Sequence, residues 1–290
     1  MDLRSTIRAV ARLPFSPDRL VDILCETAPT AATNPKDEDH TTFWLIVADQ
    51  FSKRGIVCDL VREKALEIID EDSDLHLLHN LGMKDADLRR RGKMLQELRA
   101  RIAPALAFKA RPVLKKPQPL LMDVGDVFVY PTSNGKNINP YLASIRTVDS
   151  RPWIPDGWGA AIILDCGRAF EFLSWYRPLT LAEARNEKPK LDWLRGNVVW
   201  RLELPGTCSA NHFRRLEFEK IGSLSFDPEK VAKLFPGLRP GISAAISDIS
   251  IANRLHADPF GSNRYAEGRR DARFSKMTMR GIGQILRNGA

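Results

Sequence analysis

Cys208 and His212 stand four residues apart, with Asn211 between them, in a stretch that lacks helical or strand periodicity. A thiol and an imidazole make a nucleophile–base pair when a loop folds them together. The other reading is an unreactive thiol beside a surface histidine. Asp123 and Asp126 flank Gly125 just ahead of an apolar run. Paired acids can exchange protons with a substrate, and acids with glycine before a strand are also ordinary turn chemistry. His76 and His79 lie three residues apart beside Asp72 and Asp74 on an expected helix. A metal ion can use that spacing, but no third ligand is assigned, and a solvated helix face needs the same residues. Asp70-x-Asp72-x-Asp74 opens like a calcium loop, yet Leu75 stands where the turn glycine belongs and Leu81 where the bidentate glutamate belongs. Phosphate loops, GxSxG elbows, HExxH and GxGxxG are absent. The chain is therefore read as a non-enzyme, with no catalytic residue, metal ligand or cofactor assigned.

The aromatic residues point to binding instead. Five of the six tryptophans fall between Trp153 and Trp200. Trp153, Trp158, Trp175 and Tyr176 are the expected partner-binding set, because such residues are enriched in binding hot spots. Trp153 sits in an exposed-looking loop, Arg151-Pro152-Trp153-Ile154-Pro155-Asp156-Gly157. A small strand-rich domain also fills its core with large aromatics, and Trp200, on a clean apolar face, is assigned to the core.

The formal net charge of +8 is unevenly spread: residues 1–120 carry +2, 121–260 carry +1 and 261–290 carry +5. The basic character belongs mostly to the tail, so charge alone does not make the folded body a nucleic-acid binder. A helix beginning near Arg269 would align Arg269, Arg273, Lys276 and Arg280 on one stripe, with Phe274, Met277 and Ile285 on another. Such a basic amphipathic helix docks on nucleic acid, an acidic partner or a membrane surface; the plainer reading is a frayed terminus. Together with a cluster at Arg89–Lys93, the tail supports nucleic-acid association as the alternative function. No apolar run is long enough to span a bilayer, and the N-terminus has no apolar stretch of signal-peptide length. The four cysteines, Cys25, Cys58, Cys166 and Cys208, are widely separated and read as reduced cytoplasmic thiols.

The elements that must position these groups change character along the chain. Residues 1–102 read as a helical domain: Ser16-Pro17-Asp18 starts one helix to about Thr27, and others span Asp39–Arg54, Asp59–Asp70, Leu75–Leu81 and Asp85–Ile102. Ala28 to Asp39 reads as a loop. Residues 103–121 hold Pro104, Pro112, Pro117 and Pro119 with several lysines, an extended, solvated connector. Residues 122–258 form a β-rich domain with closing helices. Its strands are expected at Asp126–Tyr130, Tyr141–Val148, Gly159–Cys166, Ala169–Trp175, Asn197–Leu204 and Phe213–Ile221, with one face in a core and one in water. Hairpin turns are expected at Ser133-Asn134-Gly135 and Cys166-Gly167-Arg168, a helical capping box at Thr180–Glu183, and helices after Asp227 and over Ser243–Leu255. Residues 259–290 are the basic amphipathic or disordered tail. The fold class is α+β: an N-terminal helical bundle, an antiparallel β-rich domain shaped as a partly open barrel or curled sheet, and C-terminal helices.

Asp123-Val124-Gly125-Asp126-Val127-Phe128-Val129-Tyr130, a "GDVF-aromatic" entry into this strand-rich unit, resembles the start of the bacterial immunity protein 26 type of domain. Arg215-Leu216-Glu217-Phe218-Glu219-Lys220-Ile221-Gly222, followed by Asp227-Pro228, resembles the way such proteins close the unit. The helical front, with Phe43–Ala48, Ala65–Asp70 and Leu95–Arg99, resembles the leader of bacterial proteins joined to that domain. The resemblance covers roughly residues 40–235. It implies a protein that binds and neutralises a cognate toxin without catalysis, and it supplies no catalytic residues.

Overall fold

The computed structural model describes residues 3–104, 111–133, 135, 137, 154–235, 260 and 278–287. The chain divides between Lys115 and Lys116 into two compact units. The expected strand Tyr141–Val148 and the expected helix Ser243–Leu255 lie outside the described residues.

The first unit is helical: α1 (Leu3–Val10), α2 (Pro17–Thr27), α3 (Pro29–Thr33), α4 (His40–Arg54), α5 (Asp59–Asp70), α6 (Ser73–Asn80) and α7 (Asp85–Ile102). Ser16 Oγ accepts the Arg19 amide at 3.2 Å, and Pro17 occupies the first turn, where its missing N–H costs nothing. The stop at α4 is Gly55, which takes a left-handed φ of 66°. Phe43, Trp44, Val47 and Phe51 of α4 are buried at helical spacing. Trp44 Nε1 donates to the Ala32 carbonyl at 3.2 Å, which ties α4 to α3. Two helices depart from expectation. In α1, Arg4 and Arg8 share one face and leave Ile7 and Val10 buried. The short α3 interrupts what composition reads as a loop.

The expected connector is not simply solvated. Leu114 N donates to the Arg12 carbonyl at 2.7 Å, and the Arg111 guanidinium bonds to the Leu13 carbonyl at 3.0 Å and to the Phe15 carbonyl. These contacts hold residues 111–114 on the helical unit. In the second unit, Gln118 N donates to the Phe172 carbonyl at 2.8 Å and Leu121 N to the Tyr176 hydroxyl at 2.7 Å.

The second unit is built on seven strands, β1 (Asp126–Thr132), β2 (Gly157–Ala169), β3 (Leu173–Leu181), β4 (Val199–Leu202), β5 (Gly206–Thr207), β6 (Glu219–Ser223) and β7 (Thr278–Arg280), with helices α8 (Leu191–Leu194), α9 (Ala210–Arg215) and α10 (Pro228–Leu234). The order is β6-β1-β2-β3-β4-β7, with β5 beside β3, and every pairing is antiparallel. The two ends of this path meet. Phe226, just past β6, bridges Leu286, just past β7, and flanking bonds run from Asp227 N to the Ile285 carbonyl at 2.9 Å and from Arg287 N to the Ser225 carbonyl at 3.0 Å. The sheet is therefore curled, and a chain segment rather than a ladder closes it.

Both faces of its centre are apolar. Val127, Val129, Ile162, Leu179 and Trp200 line one face under Leu194, Val231, Ile282 and Ile285. Phe128, Tyr130, Ala161, Ile163 and Tyr176 line the other, with Leu216 and Phe260. The expected single wet face thus exists only toward the edges. Three local expectations also fail. Cys166–Arg168 is strand, and the turn falls at Phe170 and Glu171, which take positive φ values of 52° and 64° without glycine. Thr180 does not cap a helix; it stays in β3 and donates its hydroxyl to Glu203 at 2.6 Å. Phe213–Ile221 is not one strand, because α9 runs to Arg215 and Glu217 turns the chain with a φ of 53° before β6.

The described part of the tail is a short strand, β7, followed by a single 3-10 turn over Ile282–Ile285, not an amphipathic α-helix. Met279 of β7 sits opposite Trp200 in β4, and Met279, Ile282 and Ile285 are buried in the first apolar face. The helical stripe expected through Arg280 is corrected on this point: a strand places alternate residues on opposite faces, so Met279 enters the core and Arg280 is exposed.

Candidate partner-binding surface

After β3 the chain runs back toward the start of β2, and two backbone bonds fix it there: Trp158 N to the Arg185 carbonyl at 2.6 Å and Arg185 N to the Trp158 carbonyl at 2.8 Å. This pairing brings two aromatic rings and two cations together. The Arg185 guanidinium carbon lies 4.7 Å from the centre of the Trp193 ring. Lys188 Nζ lies 5.3 Å from the centre of the Trp158 ring and also pairs with Glu219 of β6. Trp193 remains 37% exposed, while its neighbour Leu194 is buried and anchors α8 to the sheet. Trp158 is half-buried, with its inner part packed against the same core. Each exposed cation–aromatic contact contributes about 0.5–1 kcal/mol, enough to bias a rotamer.

The residues expected at a binding surface divide sharply. Trp158 is part of this patch. Trp175 and Tyr176 are corrected: both are buried in the sheet, and neither offers a surface. Trp153 lies outside the described residues, as do Arg269, Arg273 and Lys276. Arg185, Lys188 and Trp193 were not anticipated. The capping-box pattern at Thr180–Glu183 reads their segment as helical, and the signal that points to them is the interleaving of cations with Trp193 around Pro189 in a polar stretch.

The chemical candidates are occupied by structural contacts. Asp126 accepts the Ser223 hydroxyl at 2.9 Å and the Asp123 amide at 3.1 Å, and it pairs with Lys220 at 2.5 Å. This carboxylate closes the turn into β1 and ties β6 to it. Asp74 is 1% exposed and accepts both Arg91 Nε at 2.8 Å and the Thr41 hydroxyl at 3.2 Å, so it links α6, α7 and α4. Cys208 is buried in the second apolar face. Burial, followed by the charges of Asp165, Asp123 and Asp126, pushes the Cys166 thiol up to about 11, the opposite of an activated nucleophile. Among the described residues, no group of three or more His, Cys, Asp or Glu side chains has the arrangement to hold a metal ion. No helix among them is long and apolar enough to cross a membrane.

No protein-family model matches the chain, and no curated protein or solved structure does either.

Proposed function

We propose that this chain is a non-enzymatic bacterial binding protein, similar to an immunity protein, that neutralises a cognate toxin in the cytoplasm through the Trp158–Trp193 surface of its β unit. The observation that carries this reading is the Arg185 guanidinium held over the exposed Trp193 ring. Tryptophan and arginine are the side chains most enriched among binding hot spots. Here they are ordered by a backbone pairing and by an anchored helix, so less conformational freedom is lost on binding. The engagement of Asp126, Cys166 and Cys208 in the fold agrees with a role that needs no nucleophile. The "GDVF" entry and the β6 segment supply the resemblance to immunity proteins.

The test is protection. Toxin genes beside this one are co-expressed with the wild-type chain and with an Arg185→Ala/Trp193→Ala double variant. Rescue of growth by the wild type and its loss in a folded double variant is the expected result. A gene neighbourhood without any toxin, together with failure to protect against candidate toxins, would overturn the proposal.

Nucleic-acid association is the second reading. The observation favouring it is Arg89 and Lys93, exposed one turn apart on α7 with no ion-pair partner among the described residues. Phosphate contacts there would give a retardation that falls steeply with salt. Equal retardation by the wild type and an Arg89→Gln/Lys93→Gln variant would count against it.

A further inference from the structure

Burial falls away along the core-facing stripe of α6. Asp74, Leu77, Leu78 and Leu81 follow the i, i+3, i+4, i+7 spacing of one helix face. Asp74, at the inner end, is 1% exposed and held by Arg91 and Thr41. Leu77 and Leu78 are half-buried, and Leu81 is 59% exposed. Met83, in the turn that follows, and Leu88, early in α7, are half-buried too. The turn that presents Leu81 is fixed. Met83 N donates to the Leu78 carbonyl at 3.0 Å and Gly82 N to the His79 carbonyl at 2.9 Å, with Gly82 at a φ of 82°. These are the paired bonds of a helix stop built on a left-handed glycine. Beyond its chain neighbours, no atom lies within 4 Å of where a Gly82 Cβ would stand, so the turn projects into open space. An ordered, projecting apolar turn is the mark of a docking surface.

The charges around it select the occupant. Arg90 pairs with Asp87 at 3.2 Å and Arg91 with Asp74 at 2.8 Å. That leaves Lys84, Arg89 and Lys93, all exposed and without an ion pair among the described residues, against the exposed acid Asp85. A second copy of this chain would set these cations against themselves in a two-fold contact. A nucleic acid would use the cations but leave Leu81 in water, and residues 75–94 hold no Phe, Trp or Tyr on which a base could stack. An anionic bilayer accepts both features at once. Its headgroup layer is roughly 5–8 Å deep in each leaflet. Arg89 follows Lys84 by five residues, about 7.5 Å along α7, so both fall within that layer when Leu81 reaches the acyl boundary. Lys93 stands about 6 Å farther out, still within the reach of the surface potential.

We infer that the α6–α7 turn is a docking tip for an anionic membrane surface: Leu81 and Met83 enter the acyl boundary, Lys84 and Arg89 bind lipid phosphates, and Lys93 adds attraction from farther out. Such contact is peripheral and reversible, with the cations and the apolar tip each supplying part of the affinity. The tip belongs to the helical unit and does not rest on the toxin partner proposed above.

Vesicle co-sedimentation of the full chain tests this, with phosphatidylcholine alone and with phosphatidylcholine mixed with phosphatidylglycerol. Binding to the mixed vesicles is expected, at least about tenfold tighter than to phosphatidylcholine and falling as salt rises. Leu81→Asp should weaken it at least about tenfold, through loss of the apolar contact. Lys84→Gln/Arg89→Gln should weaken it by a similar factor, about fivefold for each cation. Circular dichroism should stay unchanged, because all three side chains are exposed. A second variant, Leu81→Trp, reads insertion directly: brominated lipid should quench its emission more than that of the wild type. No binding to either vesicle, undiminished binding by Leu81→Asp, or equal quenching of Leu81→Trp and the wild type overturns the inference. So does a dimer abolished by Leu81→Asp, or retardation of DNA lost in Lys84→Gln/Arg89→Gln, where vesicle binding is absent.

Discussion

The guanidinium of Arg185 stands 4.7 Å from the centre of the Trp193 ring, and both side chains are open to solvent. An exposed pair of this kind adds little to folding, about 0.5–1 kcal/mol. The same pair at the centre of an interface can be worth much more, because a partner that covers it removes water from both groups. Trp193→Ala and Arg185→Ala should therefore leave urea denaturation within about 1 kcal/mol of the wild type. Affinity for the proposed protein partner should fall by at least about 2 kcal/mol, near thirtyfold. A loss of stability that matches the loss of affinity would assign the pair to the fold instead.

Gly125 is fixed by its surroundings. Its φ is +93°, and a Cβ there would lie 2.1 Å from the Leu224 carbonyl oxygen, a backbone atom that cannot rotate away. That carbonyl is held in place because Leu224 N donates to the Gly125 carbonyl at 2.9 Å and Gly125 N donates to the Ile163 carbonyl at 2.8 Å. Gly125→Ala must break this three-strand corner as well as adopt a strained φ, so a loss of more than about 3 kcal/mol is expected. A melting temperature within a few degrees of the wild type would show that the corner is not packed this closely.

The end of the chain serves the core of the β unit. Removing everything after Asp258 takes away the basic residues of the tail, but it also strips β7 from β4 and uncovers the face under Met279, Ile282 and Ile285. Ile282→Ala alone should cost about 2–5 kcal/mol, as large-to-small changes at fully buried sites do. Arg280→Gln, on the exposed face of the same segment, should cost less than about 0.5 kcal/mol. Truncation is therefore expected to shift the denaturation midpoint strongly, and any change it produces in nucleic-acid binding has to be compared with Arg280→Gln. Equal midpoints for the truncated and full-length chains would place the tail outside the cooperative unit.

Local chemistry was the legible part of this sequence. Ser16-Pro17, Gly55 and Asp227-Pro228 mark helix ends through caps that need only neighbouring residues, and each helix ends or starts there. The GDVF entry reads as a turn into a strand for the same reason. What escaped depends on partners distant in sequence. Thr180 resembles a cap until Glu203, brought alongside by β4, takes its hydroxyl. Trp175 and Tyr176 resemble surface aromatics until strands on either side bury them. Phe170 and Glu171 turn the chain without glycine because the β2–β3 ladder on either side holds them. The Trp158–Arg185 pairing joins residues 27 apart, and no local pattern announces it.

Alkaline pH probes the second apolar face. Burial pushes the Tyr176 hydroxyl up to about 12, helped by the nearby Cys208 thiol and opposed by the hydrogen bond from Leu121 N. Burial and neighbouring carboxylates push Cys166, opposite Tyr176 on the adjacent strand, up to about 11. Both groups are acids whose folded pKa lies above the unfolded value. Their contribution is fully present below the unfolded values, about 8.5 for cysteine and about 10 for tyrosine, and is lost as pH rises toward the folded ones. Stability measured by urea denaturation should therefore decline from about pH 9, on the order of 3 kcal/mol for each group by the time both have ionised. Cys166→Ala should flatten the first part of that decline, between about pH 9 and 11. Tyr176→Phe should flatten the later part, and it should also cost about 1–2 kcal/mol at neutral pH because the Leu121 amide loses its acceptor. Parallel pH curves for the wild type and both variants would mean that neither group ionises more easily in the unfolded chain, and the buried setting assigned to this face would then be wrong.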